Sequence, residues 1–141
     1  GAWMIVGEDA SLDRLESSVL HSLDRKVCNT LNVVTVIRHL ASVHVPIVLK
    51  AAEMAASARG TRPHIHAIQG AEEFMSTDVK NKSNQYRFVN TTEFIILLIS
   101  VLYTSFRYVD QWPPIFLEVT FDLVKDITFN SKVLTLLFLY L

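Results

Sequence analysis

Val33-Val34-Thr35-Val36-Ile37 is an unbroken run of β-branched side chains. Branching at Cβ crowds the preceding turn of a helix and suits a pleated strand, so the run predicts a buried strand. Upstream of it, Leu12, Leu15, Val19, Leu23 and Val27 recur at three- and four-residue steps, the spacing of one apolar helix face. Ser11 or Asp9 can cap that helix, Asp13 sits near its positive end, and Arg25 and Lys26 complement its negative end. Before the helix, Ala2 to Val6 is a short apolar run closed by Gly7-Glu8-Asp9, which reads as a strand and a turn.

Downstream, a short helical turn is expected just after Cys28. Pro46 suits the first turn of a second helix, with Val48, Leu49, Ala52 and Ala55 or Ala56 facing inward and Gly60 ending it. Pro63 to Ile68 resembles a further strand. Strand, helix, strand, helix, strand favours parallel pairing through helical crossovers. The expected fold class is therefore α/β, a partial, mostly parallel sheet with crossover helices. Gly70 to Thr92 is polar and reads as a long loop or inserted flap. Beyond it, Phe94 to Tyr103 reads as strand or buried helix, Ile115 to Phe121 as strand, Asp122 to Phe129 as a short helix and Val133 to Tyr140 as a last strand. Ser-Leu-Asp-Arg occurs at 11–14 and again at 22–25, a spacing close to three helical turns, so it repeats a helix face and not a domain.

With 141 residues, half of them apolar, the chain suffices for one domain with a core. A net charge of −1 gives no basic face for a phosphate backbone, so nucleic acid is not an expected partner. One cysteine makes no internal disulfide, and the first residues lack a basic stretch followed by an apolar run, which together point to the cytoplasm. The apolar run Phe94 to Phe106 lies between Glu93 and Arg107, well short of the ~20 residues a membrane span needs, so no membrane partner is expected. The chain ends inside the apolar run Val133 to Leu141, which suggests a piece of something longer. Asn81 and Asn90 begin glycosylation-type triplets but read as ordinary loop residues. No Gly-rich phosphate loop follows any expected strand.

The candidate chemistry centres on Cys28, in Arg25-Lys26-Val27-Cys28-Asn29-Thr30-Leu31-Asn32. A thiol between a helix and a strand, with two cations before it and polar residues after it, can be held as a thiolate nucleophile. Its plainer reading is a small buried hydrophobe. Asn29 can orient substrate or a backbone group, or simply cap a turn. His64 and His66 stand two apart on an expected strand and so share a face, as metal ligands would. No third ligand follows at a recognisable spacing, His39 and His44 lie elsewhere, and no metal is expected. Tyr103, Phe106, Tyr108 and Trp112 suit either an apolar cleft or core packing.

The Gly1-Ala2-Trp3-Met4-Ile5-Val6 strand, the acidic turn, the helix and then Asp24-Arg25-Lys26-Val27-Cys28-Asn29 resemble the nucleophile segment of the aldehyde dehydrogenase superfamily, closest to its gamma-glutamyl phosphate reductase branch. The stretch from Pro114 to Asn130 is similar to a later strand-helix segment of that superfamily. The resemblance implies a single partial catalytic domain over 1–141, with 70–92 a polar loop or insertion and the nucleotide-binding domain outside the chain. It implies an oxidoreductase in which the Cys28 thiolate attacks an acyl phosphate, phosphate leaves, and NADPH hydride reduces the thioester to an aldehyde. Cys28 and Asn29 are then the catalytic candidates and Phe116 the contact to NADP. The chain departs from the pattern at Pro114, where the superfamily has a Glu, and at Leu117-Glu118, where it has Gly-Pro. A small-molecule substrate and a homo-oligomer are the implied partners. The alternative is a non-catalytic interaction or oligomerisation module derived from the same fold, whose open sheet edges pair with other copies.

Overall fold

The computed structural model describes residues 2–24, 30–82, 84–90, 92–94, 96 and 133–140. Its regular elements are β1 (Ala2–Ile5), α1 (Leu12–Asp24), β2 (Leu31–Ile37), α2 (Ala41–Ala58), β3 (His64–Ile68), β4 (Tyr86–Val89) and β5 (Val133–Tyr140). Short 3₁₀ turns lie at Arg38–Leu40, Ala71–Phe74 and Thr77–Asn81.

The local reasons are visible in the residues. In α1, Leu15, Val19 and Leu23 are buried and lie on one face, each contributing about 1.5–3 kcal/mol of transfer free energy. Leu12, expected on the same face, begins the helix and is 45% exposed. The Leu15 amide donates to the Ser11 carbonyl, which puts Ser11 at the N-cap position. The α2 helix ends in a Schellman turn: Gly60 N–H donates to the Ser57 carbonyl and Thr61 N–H to the Ala56 carbonyl, with Gly60 at φ +69°. The 3₁₀ turn at Arg38–Leu40 leads straight into α2, so Pro46 falls inside the helix instead of in its first turn. Pro46 supplies no N–H to the Ser42 carbonyl, and both residues are exposed, so water can take that role.

The strands form a five-stranded sheet in the order β1-β2-β5-β3-β4. β1 and β2 are parallel, β3 and β4 are parallel, and β5 runs antiparallel to both β2 and β3. The fold is therefore mixed α/β. The expectation of a mostly parallel sheet gives way to a mixed one because of β5, which enters from the opposite end. A strand's own side chains do not encode its direction; the end of the sheet at which the chain arrives does. The path β1, β2, β3, β4 steps across the sheet in one sense only, and right-handed crossovers then place α1 and α2 on the same face. Those helices pack on Val34, Val36, Leu134, Leu136, Ile65 and Ala67 in one buried core with Tyr86 and Val79.

The segment expected as a polar loop or flap over 70–92 is more ordered than that. Gly70, at φ +99°, turns the chain out of β3, and the two 3₁₀ turns then bury Ala71 and Val79 against α2 before β4 joins the sheet edge. The expected elements within 97–132, and Cys28 with its neighbours Arg25 to Asn29, lie outside the described residues.

Candidate functional site

The three residues singled out for chemistry, Cys28, Asn29 and Phe116, all lie outside the described residues. What is described is the approach to Cys28. The Arg59 guanidinium, only 12% exposed, reaches from the end of α2 to the end of α1, where Nη2 donates to the Leu23 carbonyl at 2.6 Å and lies 3.8 Å from Asp24. A guanidinium donating to a carbonyl in the last described turn of α1 complements the negative end of the helix dipole. The sequence expects Arg25 and Lys26 at that end, and both lie outside the described residues; Arg59 adds a cation there from 36 residues away.

Alternation along β3 puts His64 and His66 on the sheet face away from the helices, as their spacing predicts. Arg87 of β4 stands opposite His66 in register, and its guanidinium is held 2.6 Å from Glu93. Asn90 Oδ1 accepts from the Glu93 amide and so caps the helical turn that carries Glu93. Burial, then the Arg87 charge, hold His66 below its ordinary value, with Glu93 opposing and His64 adding slightly. His66 Nδ1 is buried without a hydrogen-bond partner among the described residues. Among those residues no three His, Cys, Asp or Glu side chains converge as a metal site.

On the helix side, Tyr86 Oη donates to Glu53 Oε1 at 3.2 Å, and Lys82 Nζ lies 3.8 Å from Glu53 and 3.3 Å from Asp78. Ser76 Oγ donates to Asp78. The Ser76 hydroxyl and Lys82 keep the Asp78 carboxyl below the usual range, whereas burial and Glu53 push the Tyr86 phenol well above its own. The cluster fastens the 71–82 segment to α2. At the other end of the sheet, His39 Nε2 lies 3.3 Å from Glu8, Arg38 lies 4.0 Å from Glu73, and the Arg38 guanidinium stands over the Phe74 ring. Each contact joins two connecting segments.

The outward face of α2 carries exposed apolar side chains, as do Ile5 and Ile96 elsewhere among the described residues. Val43 is 45% and Met54 42% exposed, with Ile47 half-buried between them and Pro46 beside it, a stripe at steps of four and seven. Its two charges point into the molecule's own contacts: Lys50 Nζ to Glu16 of α1 at 3.2 Å, and Glu53 to Tyr86 and Lys82. Leu12 adds an exposed apolar side chain at the same end of the helix layer as Val43. Sequence reasoning placed the inward residues of α2 correctly but gave no weight to Val43, Ile47 and Met54, whose spacing was the available signal.

No protein-family model matches the chain, and no curated protein or solved structure matches it significantly.

Proposed function

We propose that this chain is a non-catalytic interaction module that pairs with a second copy of itself through the outward face of α2. The observation that carries the reading is the apolar stripe Val43, Ile47 and Met54, with Lys50 and Glu53 both engaged in contacts inside the chain. An apolar face whose charges are already neutralised meets its own copy without like-charge repulsion, so an isologous contact costs little electrostatically. Desolvating such side chains drives association. Sedimentation equilibrium tests this: the protein dimerises with rising concentration, and Val43→Glu or Met54→Lys shifts it to monomer while the circular dichroism spectrum is unchanged. A wild-type protein that stays monomeric throughout the concentration range ends the reading.

A second reading follows the aldehyde dehydrogenase resemblance: an oxidoreductase that reduces an acyl phosphate through a Cys28 thioester, with NADP bound by a further domain. Arg59 favours it, since a guanidinium stands at the end of α1 just before Arg25, Lys26 and Cys28 in sequence. Cations lower a thiol pKa and raise its reactivity at neutral pH. Iodoacetamide labelling of Cys28 faster than a free thiol, slowed in Arg59→Gln, supports this reading; labelling at the free-thiol rate removes it.

A further inference from the structure

The chain has three methionines, and the fold treats them differently. Met4 and Met75 are half-buried and pack against the hydrophobic core, whereas Met54 is 42% exposed on the outward face of α2. A long side chain on a helix lies back over the preceding turn, which for Met54 holds Ala51 and Lys50. Ala51 is short, and the Lys50 ammonium is drawn to Glu16 of α1 at 3.2 Å. In the following turn stand Ser57 and Ala58, both short and both exposed. The Met54 sulfur is thus the thioether most open to a reagent from solvent.

Peroxides oxidise such a sulfur. Its lone pair attacks one oxygen of hydrogen peroxide, the O–O bond breaks, and the departing hydroxide takes the proton of the transferred oxygen to leave as water. The product is a sulfoxide, polar where the thioether was apolar. The charges flanking Met54 are already committed, Lys50 to Glu16 and Glu53 to Tyr86 and Lys82. A sulfoxide oxygen pressed against a second apolar stripe would lose its water and find no donor, so burying it opposes the association that the thioether favours.

We propose that Met54 is an oxidation-sensitive modification site: a peroxide converts its thioether to the sulfoxide, and the α2 face then releases its partner copy. This control rests on the α2 contact proposed above and adds a chemical signal to it. Methionine sulfoxide reductases reverse the step, a dithiol giving up two electrons to become a disulfide while the oxygen leaves as water.

The test uses Cys28→Ser protein, so that no thiol competes for limiting hydrogen peroxide. Peptide mass mapping is expected to show Met54 gaining one oxygen several-fold faster than Met4 and Met75. In sedimentation equilibrium the dissociation constant of the oxidised protein rises by at least about tenfold, with an unchanged circular dichroism spectrum. Reductases for both sulfoxide epimers, supplied with dithiothreitol, restore the original value. Met54→Leu keeps an apolar side chain and dimerises equally before and after peroxide. Oxidation of Met4 or Met75 as fast as Met54, a dimer unmoved by complete Met54 oxidation, or an equal loss of dimer in Met54→Leu each overturns the proposal while leaving the α2 contact intact. An untreated protein that is monomeric at every concentration removes the α2 contact itself, and the control with it.

Discussion

Arg59 and Leu23 are joined across the two helices by a 2.6 Å bond from a guanidinium that is 12% exposed to a carbonyl in the last described turn of α1. The bond fixes the end of α1 against the end of α2, so it acts on tertiary packing and not only on α1. Replacing Arg59 with Ala removes a charge-assisted bond and is expected to cost about 1.5–3 kcal/mol in urea unfolding. The Asp24 partner is 65% exposed and screened, so Asp24→Asn should change stability far less. Equal losses in the two variants would show that the ion pair, and not the bond to the carbonyl, matters.

Trp3, Thr35 and Thr135 form a hydrogen-bonded row across β1, β2 and β5 on the face opposite the helices. Trp3 Nε1 donates to Thr35 Oγ1 at 2.9 Å, and that hydroxyl also shares a 2.9 Å bond with Thr135. Thr35→Val strands two polar groups and Thr135→Val only one, at about 1–3 kcal/mol for each buried group left unmade. Thr35→Val is therefore expected to be the more destabilising, and the double variant to cost less than the two singles together. Additive losses in a thermal or urea double-mutant cycle would contradict this.

His66 gives the stability a pH dependence. Its folded pKa lies below the ordinary value of 6.5, chiefly through burial. The unfolded chain therefore binds the proton more readily, and stability rises with pH between the folded and unfolded values. The contribution is complete above 6.5 and is lost as pH falls below it toward the folded pKa. Urea midpoints measured from pH 8 to 5 should decline more steeply for the wild type than for His66→Leu; parallel curves for the two proteins refute the assignment.

Much of the helical layer is legible in the sequence, because Leu15, Val19 and Leu23, and Val48, Ala52 and Ala55, carry their burial in a simple period. Strands β1, β2, β3 and β5 fall where apolar runs predict them. Strand β4 does not, since Tyr86-Arg87-Phe88-Val89 is short, carries a charge and follows a polar stretch; its pairing with Ile65 to Ile68 is a tertiary fact. The central position of β5 is hidden for the same reason. Of the candidate site residues, the sequence located the shared face of His64 and His66, while Arg59 could be placed against α1 only once the two helix ends were adjacent.

The single-sided helix layer has an electrical consequence. α1 and α2 follow parallel strands and point the same way, so their dipoles add, with positive ends at the edge where Glu8, Asp9, Asp13, Glu72 and Glu73 are found. Arg38, which carries the unfavourable sign at the start of α2, is met there by Glu73, and His39 lies beside Glu8. Arg59 and Arg62 stand at the opposite edge. Acidic side chains thus meet the positive helix ends and basic ones the negative ends, contacts worth about 0.3–1 kcal/mol each to the helices that they flank.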